Sequence, residues 1–419
     1  MTNDDMLDLS SLNVADYRRL GLRFNPFPSA DIPSETHIIT ADRQLILDRF
    51  KELLSGVVQK NESYVMAIAG DWGSGKTHML QFFRERVNVQ LSQLPDTKAI
   101  AIYVQSIGRG FVDIYSSFVE SLGRSFFYEF AISFIKRLGL PRLERYLDRA
   151  LGVEKWVNGH EAQLAPDKYY STLLRQPGYK QIFDELRSSV SHITNSDVIY
   201  GILNLAHPDY SSLAWRWLVG DKLRKAEMDS LSVSKSIEDE GTARDMLNGI
   251  ISLLKTVNGY KGVVVLIDEV EDFVGLPKSL RNRFLEDLRH FKDENPEGFF
   301  LVLALTPSAH DQLMSAPTAL SRRLQGYVHE LEPFTLKETR ELIGRYLNEA
   351  RLKLSVSEGF KVNPFSDEAV ESIQSISSGS PGNVVKLCRF AIEEGRRVGL
   401  ELIDSSVVSR ANTLIEKPA

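Results

Sequence analysis

The segment Gly70-Asp71-Trp72-Gly73-Ser74-Gly75-Lys76-Thr77 puts three glycines, a lysine and a hydroxyl into eight residues. Its spacing fits G-x-x-x-x-G-K-[ST] at each fixed position. The chemistry of such a segment is that of an anion cradle. Glycines let a loop curl until successive N–H groups point inward, and a following helix adds the partial positive charge of its N-terminus. The Lys76 ammonium suits β- and γ-phosphates and the Thr77 hydroxyl suits a Mg²⁺ ion, so the expected nucleotide contacts run from Gly70 through His78. A second cluster, Asp268-Glu269, ends the apolar run Gly262–Ile267. An aspartate at a strand tip suits Mg²⁺ or its bound water, and a glutamate beside it suits deprotonation of an attacking water. Glu271 and Asp272 read as surface or partner-contact acids. Thr306 ends another apolar run and is a candidate to hold the attacking water. Arg322 and Arg323, in "ALSRRLQG", are candidates to stabilise phosphoryl charge in a neighbouring copy, with no target expected inside their own chain.

These residues need strands that stop together. "YVMAIAG" (64–70) reads as a buried strand and "THMLQFFRERV" (77–87) as the helix after the loop. "KAIAIYVQ" (98–105), the β-branched run "GVVVLID" (262–268), "GFFLVLALT" (298–306) and "YVHELEPF" (327–334) read as four further strands. A helix precedes the first strand at 41–57, with Leu45, Ile46, Leu47, Phe50, Leu53 and Leu54 as its apolar positions. Helical patterning dominates from about Gly110 to Tyr260, and again from Thr335 to Ile415 in pieces broken by "VNPFSD", "GSPG" and "GLELID". Strands alternating with helices argue a parallel sheet. The expected fold is therefore an α/β parallel sheet with flanking helices. The expected division is an irregular segment at 1–40, a core at 41–110 and 261–333, a helical insertion at 111–260 and a helical lid at 334–419. The insertion follows from length. Lys76 and Asp268 are separated by far more chain than the one strand and its crossovers require, a crossover taking about a dozen residues or more.

The chain has 419 residues, 43% apolar and 25% charged, which is room for two or three domains. Its single cysteine, Cys388, excludes an internal disulfide framework, fits a reducing cytoplasm and reads as core. No run of eighteen apolar residues suits a membrane span, and the acidic, polar start does not read as a signal peptide. The histidines have no metal-ligand spacing. A net charge of −6 gives no overall pull toward nucleic acid. Contact with DNA then depends on local patches such as Arg142/Arg145/Arg149 or Arg281/Arg283/Arg289, and acids interleave the first of these.

In this order, the cradle, the acid pair, Thr306, the arginine segment and a helical lid resemble the AAA+ ATPases. Within that group the opening "LGLRFNPFP" and the helix after it are similar to initiator-type members: Orc/Cdc6-like, transposition and secretion-type ATPases. Residues Leu213–Phe273, with "WL-G" and "GY-G" phrases leading into the acid pair, resemble ATP-binding proteins of BREX-type phage-defence loci. The resemblance spans roughly residues 17–395, with 110–230 poorly matched.

It implies a P-loop AAA+ core that binds ATP and Mg²⁺ through Lys76, Thr77 and Asp268. Glu269 would be the base, Thr306 would stand for the first sensor, and Arg323 would be the arginine acting in trans with Arg322 in reserve. The relatives' lid phrase resembles "GNPR", whereas this chain reads Gly379-Ser380-Pro381-Gly382. The arginine that contacts the γ-phosphate is missing, with Lys386 or Arg389 as partial substitutes, so slow hydrolysis is expected. The chain is also expected to lack the winged helix that initiators append. The implied function is a DNA-directed ATPase switch or motor in a prokaryotic defence or mobile-element system. It would assemble as a ring or filament with nucleotide at subunit boundaries. DNA contact would be sequence-independent, other proteins would engage the insertion with its Trp156, Trp215 and Trp217, and no membrane is involved. The alternative is a nucleotide-gated scaffold, or a gate for a protein partner, with little turnover and no DNA binding.

Overall fold

A computed structural model describes residues 16–28, 43–92, 94–105, 110–139, 174–175, 179–315, 319–324, 326–352 and 361–416. The candidate arginines Arg142, Arg145 and Arg149, and Trp156, lie outside these residues. In chain order the elements begin with α1 (Gln44–Lys60), β1 (Ser63–Ala69), α2 (Lys76–Gln90) and β2 (Ala99–Val104). Next come α3 (Phe111–Phe134), α4 (Tyr179–Val190), α5 (Ser196–Ala206), α6 (Ser211–Leu218), α7 (Lys225–Leu231) and α8 (Glu240–Asn258). Then follow β3 (Gly262–Ile267), α9 (Lys278–Asp293), β4 (Phe299–Leu305), α10 (Pro307–Ser315), α11 (Ala319–Leu324) and β5 (Val328–Glu330). The chain closes with α12 (Leu336–Ala350), α13 (Asp367–Ser377), α14 (Pro381–Val398) and α15 (Ser405–Glu416).

The five strands form one sheet in the order β2-β3-β4-β1-β5. Strands β2, β3, β4 and β1 pair in parallel, with Val104 opposite Ile267, Ile267 opposite Leu303 and Leu305 opposite Ala69. All positions of β2, β3 and β4 are buried, as expected for a parallel sheet covered on both faces. The architecture is an α/β P-loop fold with a helical C-terminal part. β5 is shorter than the expected 327–334 strand, because Pro333 lacks an N–H donor and Leu331 to Phe334 leave the ladder.

Contacts divide the chain into two units. One holds Leu45–Ala69 and Phe83–His329; the other holds Gly70–Phe82, Glu330–Ala419 and the N-terminal residues to Gln44. In the first, a single hydrophobic core runs from the sheet into the helical segment after β2, joining Val265 and Leu301 to Phe118, Phe127, Trp217 and Leu247. Close approaches fix this packing. A Cβ on Gly201 would lie 2.2 Å from the Trp217 ring, whose indole N–H donates to Lys235 O at 2.9 Å. Tyr115 is fully buried and donates to Leu218 O at 2.7 Å.

In the second unit α12–α15 enclose their own core, which includes Cys388. Burial pushes the Cys388 thiol well above its usual range, so it behaves as a small apolar group. The opening phrase is built into this core through Leu20, Leu22 and Phe27. Arg23 N–H donates to Ala350 O at 2.7 Å, and Leu352 N–H to Gly21 O at 3.2 Å. Asn25 Nδ2 donates to Glu393 at 2.8 Å, and Arg389 to Phe27 O at 2.8 Å. Phe27, 1% exposed, packs on the Tyr346 ring, with centroids 5.3 Å apart and the planes tilted by 37°. Phe27→Ala should destabilise this unit by about 3–5 kcal/mol, through lost burial and the cavity left behind. A lower denaturant midpoint, with earlier proteolysis near residue 28, is the measurement; an unchanged midpoint would show that the opening phrase is not structural.

Candidate functional site

The cradle forms where β1 ends at Ala69 and α2 begins at Lys76. Gly73 and Gly75 have φ of +77° and +96°, a region open to glycine at little cost. Gly70 is needed for another reason: a Cβ there would stand 2.5 Å from Ser74 Oγ. Ser74 is buried, and its hydroxyl has no hydrogen-bond partner. Lys76 is 7% exposed, with Nζ donating to Gly70 O at 2.8 Å and Asp71 O at 3.3 Å. Trp72 projects into solvent, 75% exposed, with its ring centroid 5.7 Å from Lys76 Nζ. Thr77 and His78 are half-buried in the first turn of α2.

In the same unit the start of α14 meets the cradle. Gly73 O accepts from Ser380 Oγ and from Gly382 N–H, both at 3.1 Å. Gly382, in the phrase where the resemblance leads to an expected arginine, spends its backbone N–H on the loop. Lys386 is exposed one turn further on, whereas Arg389 is committed to Phe27 O.

The acid pair belongs to the sheet unit. Asp268 N–H donates to Val104 O at 2.9 Å, extending the ladder one residue beyond β3. Its carboxylate is 1% exposed and held at both oxygens: Oδ1 accepts from Glu269 N–H at 2.9 Å, Oδ2 from Tyr103 O–H at 2.8 Å. Sequence reasoning did not single out Tyr103; the signal was a phenol in an otherwise wholly apolar strand. Glu269 adopts φ +53°, ψ +35°, a left-handed conformation that a side chain rarely takes. A 3₁₀ turn over Val270–Gly275 follows and carries Glu271 and Asp272. Thr306 directly follows β4, and its Oγ1 accepts from Ala309 N–H at 3.4 Å as a cap for α10. Parallel register puts the ends of β1, β3 and β4 on one edge of the sheet, with β4 in the middle.

The arginine segment is α11. Arg322 is exposed. Arg323 has a target inside its own chain, contrary to expectation: Nη2 lies 2.7 Å from Asp293 Oδ1 at the end of α9. Asp293 also holds Arg289 at 3.1 Å. Burial and the nearby Arg323 push the Lys292 amine down. The other α9 arginines are engaged as well, Arg281 with Gln312 at 2.9 Å and Arg283 4.0 Å from Asp287.

The sheet and this edge define an α/β P-loop fold in which β4 lies between β1, the strand before the loop, and β3, the strand that leads into the acid pair. Residues 179–339 match the family model described as "BREX system ATP-binding protein BrxC/D", the kind of protein that Leu213–Phe273 resembles. An uncharacterised HTH-type transcriptional regulator of Methanocaldococcus jannaschii is 28% identical over 148 residues, 35% of this chain and 34% of the relative. The chain thus matches about a third of that relative's length. Among solved structures, the Aeropyrum pernix ORC1 protein in complex with DNA aligns over 94% of this chain and 69% of its own, at 13% identity and TM-score 0.48. Cdc6p of Pyrobaculum aerophilum aligns over 93% and 70%, at 11% identity and TM-score 0.47. No helix among the described residues is long and apolar enough to cross a membrane.

A magnesium nucleotide fits the residues present. The cradle offers a buried unpartnered hydroxyl, left-handed glycines and an amine resting on the loop's own carbonyls. A single carboxylate and a hydroxyl suit an ion that keeps most of its waters. The strain at Glu269 supplies a check on what that residue is for. Glu269→Gly should raise stability by about 1 kcal/mol, after allowing for glycine's greater chain entropy, because strained functional residues cost stability. The melting temperature should therefore rise by a few degrees while any nucleotide turnover falls; a lower melting temperature would mean that the carboxylate is structural.

Proposed function

We propose that this chain binds ATP with Mg²⁺ at Gly70–Thr77 and hydrolyses it with Glu269 as general base, as an AAA+ switch or motor. The observation that carries the reading is the strand order, with β4 between β1 and β3 and all three ending on the edge that bears Asp268, Glu269 and Thr306. Lys76 would leave the Gly70 and Asp71 carbonyls for the β- and γ-phosphates. Ser74 and the loop N–H groups would take the phosphate oxygens. Magnesium, held through Thr77 and Asp268, would neutralise phosphate charge. Glu269 would remove a proton from water as its oxygen attacks the γ-phosphorus, Thr306 would hold that water, and the bond to the β-phosphate oxygen would break to leave ADP and phosphate.

We further read the protein as an assembly with nucleotide at subunit boundaries, working with partner proteins of a phage-defence system. The family match over residues 179–339 supports the system. In the trans role Arg322 is the better candidate, because Arg323 is occupied by Asp293. Direct DNA contact has weaker support. The α9 arginines sit among Glu286, Asp287 and Asp293, which cancel their field. Such contact would be sequence-independent and steeply weakened by salt, so binding measured across a salt series with and without ATP tests it. The second reading, a nucleotide-gated scaffold, is favoured by Gly382, which gives the cradle a backbone N–H where the family resemblance leads to an expected guanidinium.

Lys76→Ala should abolish ATP binding in calorimetry, and Glu269→Gln should retain ATP but stop phosphate release. Wild-type phosphate release no faster than that of Lys76→Ala supports the scaffold; unchanged affinity in Lys76→Ala sinks the nucleotide assignment. Arg322→Ala should lower turnover by about 10³-fold with ATP affinity preserved, since an arginine finger is worth about that much or more. Arg323→Ala should instead lower the melting temperature. If Arg323→Ala stops turnover in a protein of full stability, the two roles are reversed.

A further inference from the structure

Tyr103 is the only polar side chain of β2, a strand buried at all six positions. It pairs in register with Leu266, two residues before Asp268 on the neighbouring strand. Tyr115, the other buried tyrosine described in the sheet unit, satisfies its hydroxyl with a backbone carbonyl. Tyr103 donates instead to Asp268 Oδ2, at 2.8 Å, while Glu269 N–H takes Oδ1 at 2.9 Å. An ionised carboxylate offers about four acceptor positions. Two donors from the protein therefore fix its rotation and leave one lone-pair direction on each oxygen for metal-bound water. A carboxylate 1% exposed and held in this way cannot rotate to find the metal; it is already set.

We propose that Tyr103 is a positioning residue for the magnesium site, locking the Asp268 carboxylate in the orientation that receives the ion's water shell. The proposal rests on the nucleotide reading above. It has a structural consequence. Strand β2 lies at the sheet edge and leads toward α3, so a shift of β2 against β3 would break this hydrogen bond and change metal affinity at a distance.

The test is calorimetric binding of a non-hydrolysable ATP analogue across a magnesium series, in the full chain. Tyr103→Phe keeps the ring and removes only the hydroxyl. It should need about 10- to 100-fold more magnesium to reach the same nucleotide affinity, the usual cost of losing a group that orients a metal ligand. Affinity in EDTA should be unchanged. In an Asp268→Asn background Tyr103→Phe should add nothing. A folded Tyr103→Phe protein with the wild-type magnesium dependence also overturns the proposal. A wild-type protein that does not bind the analogue at any magnesium concentration refutes the nucleotide reading itself; one that binds it equally well with and without magnesium refutes the magnesium site and this proposal, which separates the two failures.

Discussion

Parallel pairing of β1 with β4, and of β4 with β3, forces three strand ends onto one edge of the sheet. Everything chemical in the molecule depends on that register. Because side chains alternate along a strand, a slip of one residue would turn Asp268 to the opposite face and take Leu305, the residue before Thr306, out of line with Ala69. The slip is prevented by burial. The strands are buried on both faces, and Phe50 of α1 stacks on Phe83 of α2 and on Phe300 of β4, with ring centroids 3.7 and 5.3 Å apart.

The second constraint is the burial of charge. Asp268 and Lys76 are both nearly inaccessible, and a buried ion is stable only when hydrogen bonds replace its water. Lys76 solves this with loop carbonyls and Asp268 with a phenol and a backbone N–H. These are also the contacts that a magnesium nucleotide would compete with or build upon. The groups that make the ions tolerable without ligand thus also define the geometry a ligand would meet.

Around the edge, charge is balanced pair by pair. Arg244 joins α8 to Asp287 at 2.7 Å, and Asp293 bridges Arg289 and Arg323. These partly buried pairs contribute some stability, and they leave few arginines uncommitted on α9 and α11. Such cancellation is why positive side chains counted along a helix do not by themselves make a phosphate-binding face.

The cradle, the acid pair and the order of strands and helices were legible in the sequence because each depends on neighbours in the chain. Glycine spacing sets the loop, and β-branched runs set the buried strands. The N-capping threonine and serine before α12 and α13, and Gly259 closing α8, act within a few residues of themselves. What the sequence did not reveal was every feature made by residues distant in the chain. Tyr103 meets Asp268 across 165 positions, Arg323 meets Asp293 between helices, and Gly382 meets Gly73 across the length of the protein. The opening phrase entering the lid core through Phe27 is of the same kind. Local propensity and periodicity act within a turn or a strand, whereas a hydrogen bond or ion pair between elements exists only after packing has chosen which side chains share a space.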